Sequence, residues 1–348
     1  MPELRKDPLV GRWVIIATER ARRPGTFVDP QANIFDPQIK CPFCDDNHKK
    51  IIFSIKNEKM RASQRDWLIR VVPNLNSILK IEESFNRRGN GLYDVFSGYG
   101  AHEVVIETSE HIANMADLDL EQIRLVIETY KARFKDLEKD PNLQCVLAYK
   151  NYGWAAGARR IGHSRSQIMA SPVNPLLVQE KLIGAKRYFD YHERCIYCDV
   201  IEQERKLGTR IVVETEHFIA LAPFAARFPF ELWMLPKKHH CDFADGIVGL
   251  EADLAKILKD ILLRFKIGLD DPAYNYVLQT APFRREEDRG RFKTIREDYH
   301  WHMELMPRLT RVAGFEKGTG FYICPIPPEQ AAEFLRTVGV KESQMIAD

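Results

Sequence analysis

Four cysteines stand as two C-x-x-C pairs, Cys41 with Cys44 and Cys195 with Cys198. Histidines follow each pair at a distance: His111 and His163 after the first, His239 and His300 after the second. Thiolate and imidazole are the donors that a structural zinc ion takes, four at a time in a tetrahedron. One zinc ion per set, two per chain, is the expectation. His240 competes with His239, which is preferred because Phe243 then falls four residues on, as Met115 does after His111. The plain alternative for either pair is a reduced dithiol near a surface loop. Cys145, Cys241 and Cys324 have no partner at ligand spacing, and His48 and His217 read as exposed.

A second chemical stretch runs Gly157-Ala158-Arg159-Arg160-Ile161-Gly162-His163-Ser164-Arg165-Ser166-Gln167-Ile168. It leaves a strand-like run, 145–150, through a turn at Asn151-Tyr152-Gly153. His163 can face a phosphate or a metal. A histidine at 165 would offer a lone pair for attack on phosphorus, but the residue there is Arg165. Guanidinium stays protonated, with a pKa above about 12, and has no lone pair to give. It can only stabilise charge on a phosphate. Arg159 and Arg160 add to a cationic loop. Upstream, Glu19-Arg20-Ala21-Arg22-Arg23-Pro24-Gly25 packs three arginines before a turn, a solvated loop or a phosphate clamp.

Such residues need a frame to hold them. Segments 13–17, 67–72, 103–107 and 143–149 read as strands. Segment 119–137 reads as an amphipathic helix, with Ile123, Val126, Ile127, Tyr130 and Phe134 at helical spacing. The second half repeats the order: strands at 211–213, 218–221 and 231–236, a helix at 250–267, a strand at 274–279, then His300-Trp301-His302-Met303-Glu304. Glu103 precedes His111 by eight positions (111 − 103), and Glu231 precedes His239 by eight (239 − 231). A duplication is the economical reading. The fold expected is α+β, with two tandem halves, 1–185 and 186–348, each an antiparallel sheet with a long packed helix. The polar segment 178–194 is the expected joint. Segments 80–100 and 313–320 read as loops, and a helix starts near Pro328-Glu329.

The 348 residues are 45% hydrophobic and 29% charged, with a net charge of +2. That balance gives no electrostatic case for nucleic acid or a membrane surface. No apolar run approaches the roughly 20 residues of a membrane span. The N-terminus has no apolar signal core, so a cytoplasmic protein is expected. A zinc-ribbon nucleic-acid binder is disfavoured, because distant histidines complete the pairs and no basic run interleaves with aromatics.

Several stretches together resemble a known family: Leu4-Arg-Lys-Asp-Pro-Leu-Val-Gly-Arg-Trp-Val-Ile-Ile16, Cys41-Pro-Phe-Cys44, Glu103-Val-Val-Ile106 before His111, Tyr299-His-Trp-His-Met-Glu304 with Pro307-Arg308-Leu309, Ala313-Gly-Phe-Glu316 and Gly318-Thr-Gly320. The resemblance is to galactose-1-phosphate uridylyltransferase, in the transferase branch of the histidine-triad superfamily, which includes ADP-glucose phosphorylase. It implies two tandem histidine-triad-like domains stabilised by metal. It implies a homodimer whose sites are completed across the interface. It implies transfer of a nucleoside monophosphate between a nucleotide sugar and a sugar phosphate, as in galactose metabolism, through a phospho-histidine.

In the family motif His-x-His-x-Gln, the first His binds metal and matches His163. The Gln holds phosphoryl oxygens and matches Gln167. The nucleophile's place is taken by Arg165. Gly157-Ala158-Arg159 stands where the family has Gly-x-Ser, and one residue is added between Gly157 and His163. By the resemblance, Arg20 and Arg23 face phosphate, Asn74 and Asn151 contact the nucleotide, and Glu316 reaches a hexose hydroxyl across the dimer. Thr310 stands where the family often has a lysine. Arg159 is expected to join Arg165 at the anion. His302, at the nucleophile-like position of the second half, is the alternative catalytic group, although relatives with an intact nucleophile also carry it. Two functions stay open: a nucleotidyltransferase with an atypical site, or a degenerate relative that binds a nucleotide or nucleotide sugar and transfers nothing.

Overall fold

The computed structural model describes residues 2–20, 35–36, 39–44, 50–58, 65–285 and 293–340. Strands β1 (Glu3–Lys6) and β2 (Trp13–Ile16) open the chain. Then follow β3 (Phe53–Lys56), β4 (Trp67–Pro73), the hairpin β5 (Arg87–Asn90) and β6 (Tyr93–Phe96), β7 (Ala101–Ile106), β8 (Cys145–Tyr152) and β9 (Arg165–Ser171). The second half supplies β10 (Ile211–Glu214), β11 (Phe218–Leu221), β12 (Leu232–Pro236), β13 (Tyr274–Gln279) and β14 (His302–Pro307), and β15 (Tyr322–Cys324) returns to β2. The helices are α1 (Leu120–Leu137), α2 (Leu176–His192), α3 (Ile196–Leu207), α4 (Phe243–Gly246), α5 (Glu251–Gly268), α6 (Ile295–Asp298), α7 (Gly314–Thr319) and α8 (Pro328–Thr337).

The two halves share one ten-stranded antiparallel sheet, ordered β10-β11-β12-β14-β13-β8-β9-β7-β4-β3. Outward from its middle, each half runs through its corresponding strands in the same order. The seam is the β8–β13 pair, which sets Tyr152 opposite Tyr274 and Asn151 opposite Asn275. The repeat seen as matched spacings is thus a pseudo-two-fold within one sheet.

One face is closed along its whole length. Val71, Val105, Ala148 and Ile168 of the first half, with Ala220, Met234, Tyr276 and Leu305 of the second, pack under α1, α5 and α8. Tyr130 and Phe134 of α1, and Leu254, Leu258 and Leu262 of α5, supply the helical stripes that their spacing predicted. Asp119 caps α1 by accepting from Gln122 N, which satisfies one of the orphan donors at a helix start. The other face differs between halves. In the second, Ile219, Leu221, Trp233 and Leu235 are buried against Ala185 of α2 and Ile196, Tyr197 and Ile201 of α3. In the first, Phe43 covers Trp67, Val72, Val104 and Ile106, and Asn74, Tyr149 and Gln167 stay partly exposed. Among the described residues, the first half therefore leaves a row of polar side chains accessible on this face.

Three local expectations change. All of segment 178–194 but its last two residues lies in a continuous helix, α2, whose buried stripe is only Val178, Lys181, Gly184 and Ala185. A lysine and a glycine hide that stripe from a hydrophobic pattern. Gly184 is required by packing, because a Cβ there would lie 1.9 Å from Leu9 O. Segment 80–100 contains the β5–β6 hairpin, whose residues are largely exposed and so carry no apolar alternation. Within 313–320, residues Gly314–Thr319 form α7. Among the described residues no helix is long and apolar enough to cross a membrane.

Candidate functional site

Both predicted quartets assemble. The ligand atoms of Cys41, Cys44, His111 and His163 lie within 4.8 Å of one another, as do those of Cys195, Cys198, His239 and His300. In the first, Cys44 Sγ is 3.2 Å from His111 Nδ1 and 3.5 Å from His163 Nδ1. In the second, Cys198 Sγ is 3.4 Å from His239 Nδ1 and 3.7 Å from His300 Nδ1. The outer nitrogens fix the tautomers. His163 Nε2 donates to Thr108 O at 2.9 Å, and His300 Nε2 donates to Pro236 O at 2.9 Å. His239 Nε2 donates to Arg296 O at 2.8 Å. Each of these rings turns its Nδ1 lone pair inward, the orientation by which a carbonyl behind a histidine prepares it to bind metal. Burial holds His163 down to about 4, so the ring is neutral at physiological pH. The hydrogen bond from Cys195 lowers the pKa of Cys198, which favours the thiolate form that a metal takes. The donor set and the inward Nδ1 atoms fit a tetrahedral N/S metal such as zinc.

His163 ties the first quartet to the loop that precedes β9. Gly157 turns that loop at φ +85°, a backbone region costly for residues with a Cβ. Arg165, the first residue of β9, folds back on the loop. Its Nη1 donates to Ile161 O at 3.1 Å and His163 O at 3.0 Å, and its Nη2 donates to Arg159 O at 3.3 Å. The guanidinium lies 5.3 Å from the centre of the Phe43 ring, over the C-x-x-C turn. Arg165 is therefore a clasp between the loop and the metal turn. Arg159 is exposed.

Beneath the loop, on the closed face, sits a buried ion pair. Lys150 Nζ donates to Glu107 Oε2 at 2.5 Å, to Ser164 Oγ at 3.1 Å and to Arg165 O at 3.0 Å. Lys150 and Glu107 are 1% and 0% exposed, so their mutual pairing, with Ser164 beside it, must offset the hydration both lose. On the open face, Gln167 Oε1 lies 3.0 Å from Asn74 Nδ2, 2.8 Å from His102 Nε2 and 3.1 Å from Tyr149 Oη. Along the same face, Asn151 Oδ1 accepts from Asn275 Nδ2 at 2.7 Å, and Asn275 Oδ1 accepts from Arg308 Nε. Two residues of the second half thus set how a candidate nucleotide contact of the first half is presented.

The chain matches the family described as Galactose-1-phosphate uridyl transferase, N-terminal domain, over residues 1–175, and its C-terminal domain over residues 182–343. The chain belongs to the galactose-1-phosphate uridylyltransferase family. It is 35% identical over 346 residues to ADP-glucose phosphorylase of Arabidopsis thaliana, covering 97% of this chain and 93% of that one. It is 29% identical over 349 residues to galactose-1-phosphate uridylyltransferase of Thermotoga maritima, covering 98% and 100%. A crystal structure of an Arabidopsis thaliana ADP-glucose phosphorylase with bound ADP-glucose superimposes with a TM-score of 0.80 at 32% identity, covering 98% and 100%. The family is one of nucleotidyltransferases, and this chain carries it with an atypical loop.

Other family positions fall differently. Arg23 and His48 lie outside the described residues, as does the side chain of Arg20. Glu316 is half-buried on α7, where its carboxylate accepts from Ala313 N at 2.8 Å and Ile323 N at 3.3 Å. His302 is 0% exposed. Its Nδ1 donates to His300 O at 2.9 Å, and its Nε2 accepts from the ammonium of Lys181 at 3.0 Å. Lys181 also pairs with Glu304, which pairs with Arg227 at 2.8 Å. The second half thus fills the place corresponding to the first half's cleft with a closed charge network, and His302 has no lone pair left for a substrate.

Three cleft residues were missed from the sequence: His102, Tyr149 and the supporting Asn275. The alternation of β7 and β8 marked which residues share a face, but no motif marked these polar side chains as site residues.

Proposed function

We propose that the chain binds a nucleotide sugar in the first-half cleft and transfers its nucleoside monophosphate by direct displacement. An oxygen of a phosphate-bearing acceptor attacks the α-phosphorus as the bond to the sugar phosphate breaks. The observation that carries this reading is Arg165, held on three loop carbonyls beside an assembled metal quartet and an oriented Gln167. The metal quartet and Gln167 of the family's scaffold are kept, while the covalent nucleophile is gone and the loop before it is altered. The likeness to an enzyme whose structure holds ADP-glucose supports a nucleotide-sugar donor. Zinc in both quartets, two ions per chain, and a homodimer in which Glu316 reaches the partner's site belong to the same proposal.

The test is incubation with ADP-glucose or UDP-glucose and phosphate, followed by intact-protein mass and product analysis. Released sugar phosphate without a protein adduct is expected. An adduct within the cleft would overturn direct displacement. Ligand binding without turnover would favour the second reading, a binding protein. That reading is favoured by the same guanidinium, whose donors are committed to loop carbonyls.

Arg165→His is expected not to restore covalent transfer. The new imidazole would enter a loop that keeps Arg159 and its added residue, and it would remove the clasp on Arg159, Ile161 and His163. Turnover near that of an intact relative, with a nucleotidylated protein by mass, would refute this.

A further inference from the structure

We infer that His102, with Asn74 and Tyr149, is a positioning residue that locks the side-chain amide of Gln167 so that its N–H2 faces a phosphoryl oxygen of the bound nucleotide. The inference rests on the proposed function and specifies how the phosphate is held there.

Which atom of the Gln167 amide faces inward follows from two backbone donors. Ile78 N–H can only donate, and it lies 3.3 Å from His102 Nδ1. Nδ1 is therefore the acceptor of a neutral ring, and Nε2 carries the proton. The Gln167 atom 2.8 Å from Nε2 must then accept, so it is the oxygen. Asn76 N–H likewise donates to Asn74 at 3.0 Å, which makes that atom Oδ1 and leaves Asn74 Nδ2 as the donor to Gln167. The Tyr149 hydroxyl adds a third hydrogen bond to the same oxygen at 3.1 Å. An amide oxygen has two lone pairs, so three donors saturate it and hold the group in one of its two flips. His102 is 8% exposed, whereas Gln167 is only half-buried on the open face. The Gln167 N–H2 is left to the cleft as a fixed donor. It stands two residues along the strand from Arg165, where the family places its nucleophile.

A donor fixed before binding loses no rotamer freedom when an anion arrives, and a hydrogen bond to a charged oxygen is among the stronger ones. His102→Leu removes the donor that fixes the ring side of the amide. His102→Gln replaces it with an amide N–H at about the reach of Nε2. Titration calorimetry of the full chain with AMP and UMP, beside adenosine and uridine, separates the phosphate from the nucleoside. His102→Leu is expected to weaken the nucleotide by about tenfold or more while leaving the nucleoside unchanged, and His102→Gln is expected to recover most of the loss. Gln167→Glu adds a second readout. Its carboxylate keeps all three donors satisfied and holds or raises the melting temperature, but it turns an acceptor toward the phosphate and abolishes nucleotide binding. Equal losses for nucleotide and nucleoside, or no loss in His102→Leu, would overturn the inference alone. Wild-type protein that binds neither nucleotide would overturn the proposed function and the inference with it.

Discussion

Lys150→Met is expected to destabilise the fold by about 3–5 kcal/mol, the usual cost of stripping one partner from a buried ion pair. Glu107 would keep only the Ser164 hydroxyl on Oε2, at 2.5 Å, and its Oε1 already has no hydrogen-bond partner. No water reaches a carboxylate that is 0% exposed, so the group must either stay charged at high cost or take up a proton. The loss should also loosen the loop, because Lys150 holds the carbonyl of Arg165. Denaturant unfolding of Lys150→Met and of Lys150→Met/Glu107→Leu checks the cause. The double variant should recover most of the loss, since removing both charges leaves nothing unpaired. A loss below about 1 kcal/mol in the single variant, the range of an ordinary exposed pair, would show that the pair carries no such weight.

The second large effect is expected at the metal quartets. Protein never exposed to chelator should hold two zinc ions per chain, and Cys44→Ala should hold one. Cys44 is the ligand whose sulfur lies against both histidines of its quartet. The quartet joins the 41–44 turn, the segment after β7 and the loop before β9, three parts of the chain with no other covalent tie. Apparent zinc affinities in isolated zinc fingers are worth roughly 10–16 kcal/mol, whereas whole domains are stable by only about 5–15 kcal/mol. Even a fraction of the binding energy is therefore a large share of stability. Cys44→Ala should lower the melting temperature sharply and leave the second quartet filled. Metal analysis returning no zinc in the wild type would refute the assignment, and a full two equivalents in Cys44→Ala would refute the ligand.

The quartets were legible because cysteine and histidine are uncommon and their spacing recurs in both halves. The two long helices were legible because their apolar stripes are broad. α2 was not, because its stripe is narrow and interrupted by Lys181 and Gly184. The ion pair of Lys150 and Glu107 was hidden for a related reason: in sequence both read as polar ends of strands, and only the packing of the closed face buries them. His102 carried no signal, since its partners Asn74, Tyr149 and Gln167 come from three other stretches of chain. Arg165 showed what it cannot do, but not where it points. The guanidinium chose carbonyls four and six residues back, a choice made by loop geometry.

The β8–β13 seam has a consequence for how such a chain is built. β8 is the edge strand of the first half and β13 that of the second, and each finds its only outer neighbour in the other. A chain severed between the halves would leave each fragment with an uncapped edge strand whose backbone groups seek a mate. Because the halves correspond strand for strand, either fragment can offer the other's edge to a copy of itself. The intact protein is in this sense a dimer of repeats fused head to tail. In the fused chain one half closes this face around Lys181 and Glu304, while the other leaves Asn74, Tyr149 and Gln167 partly exposed.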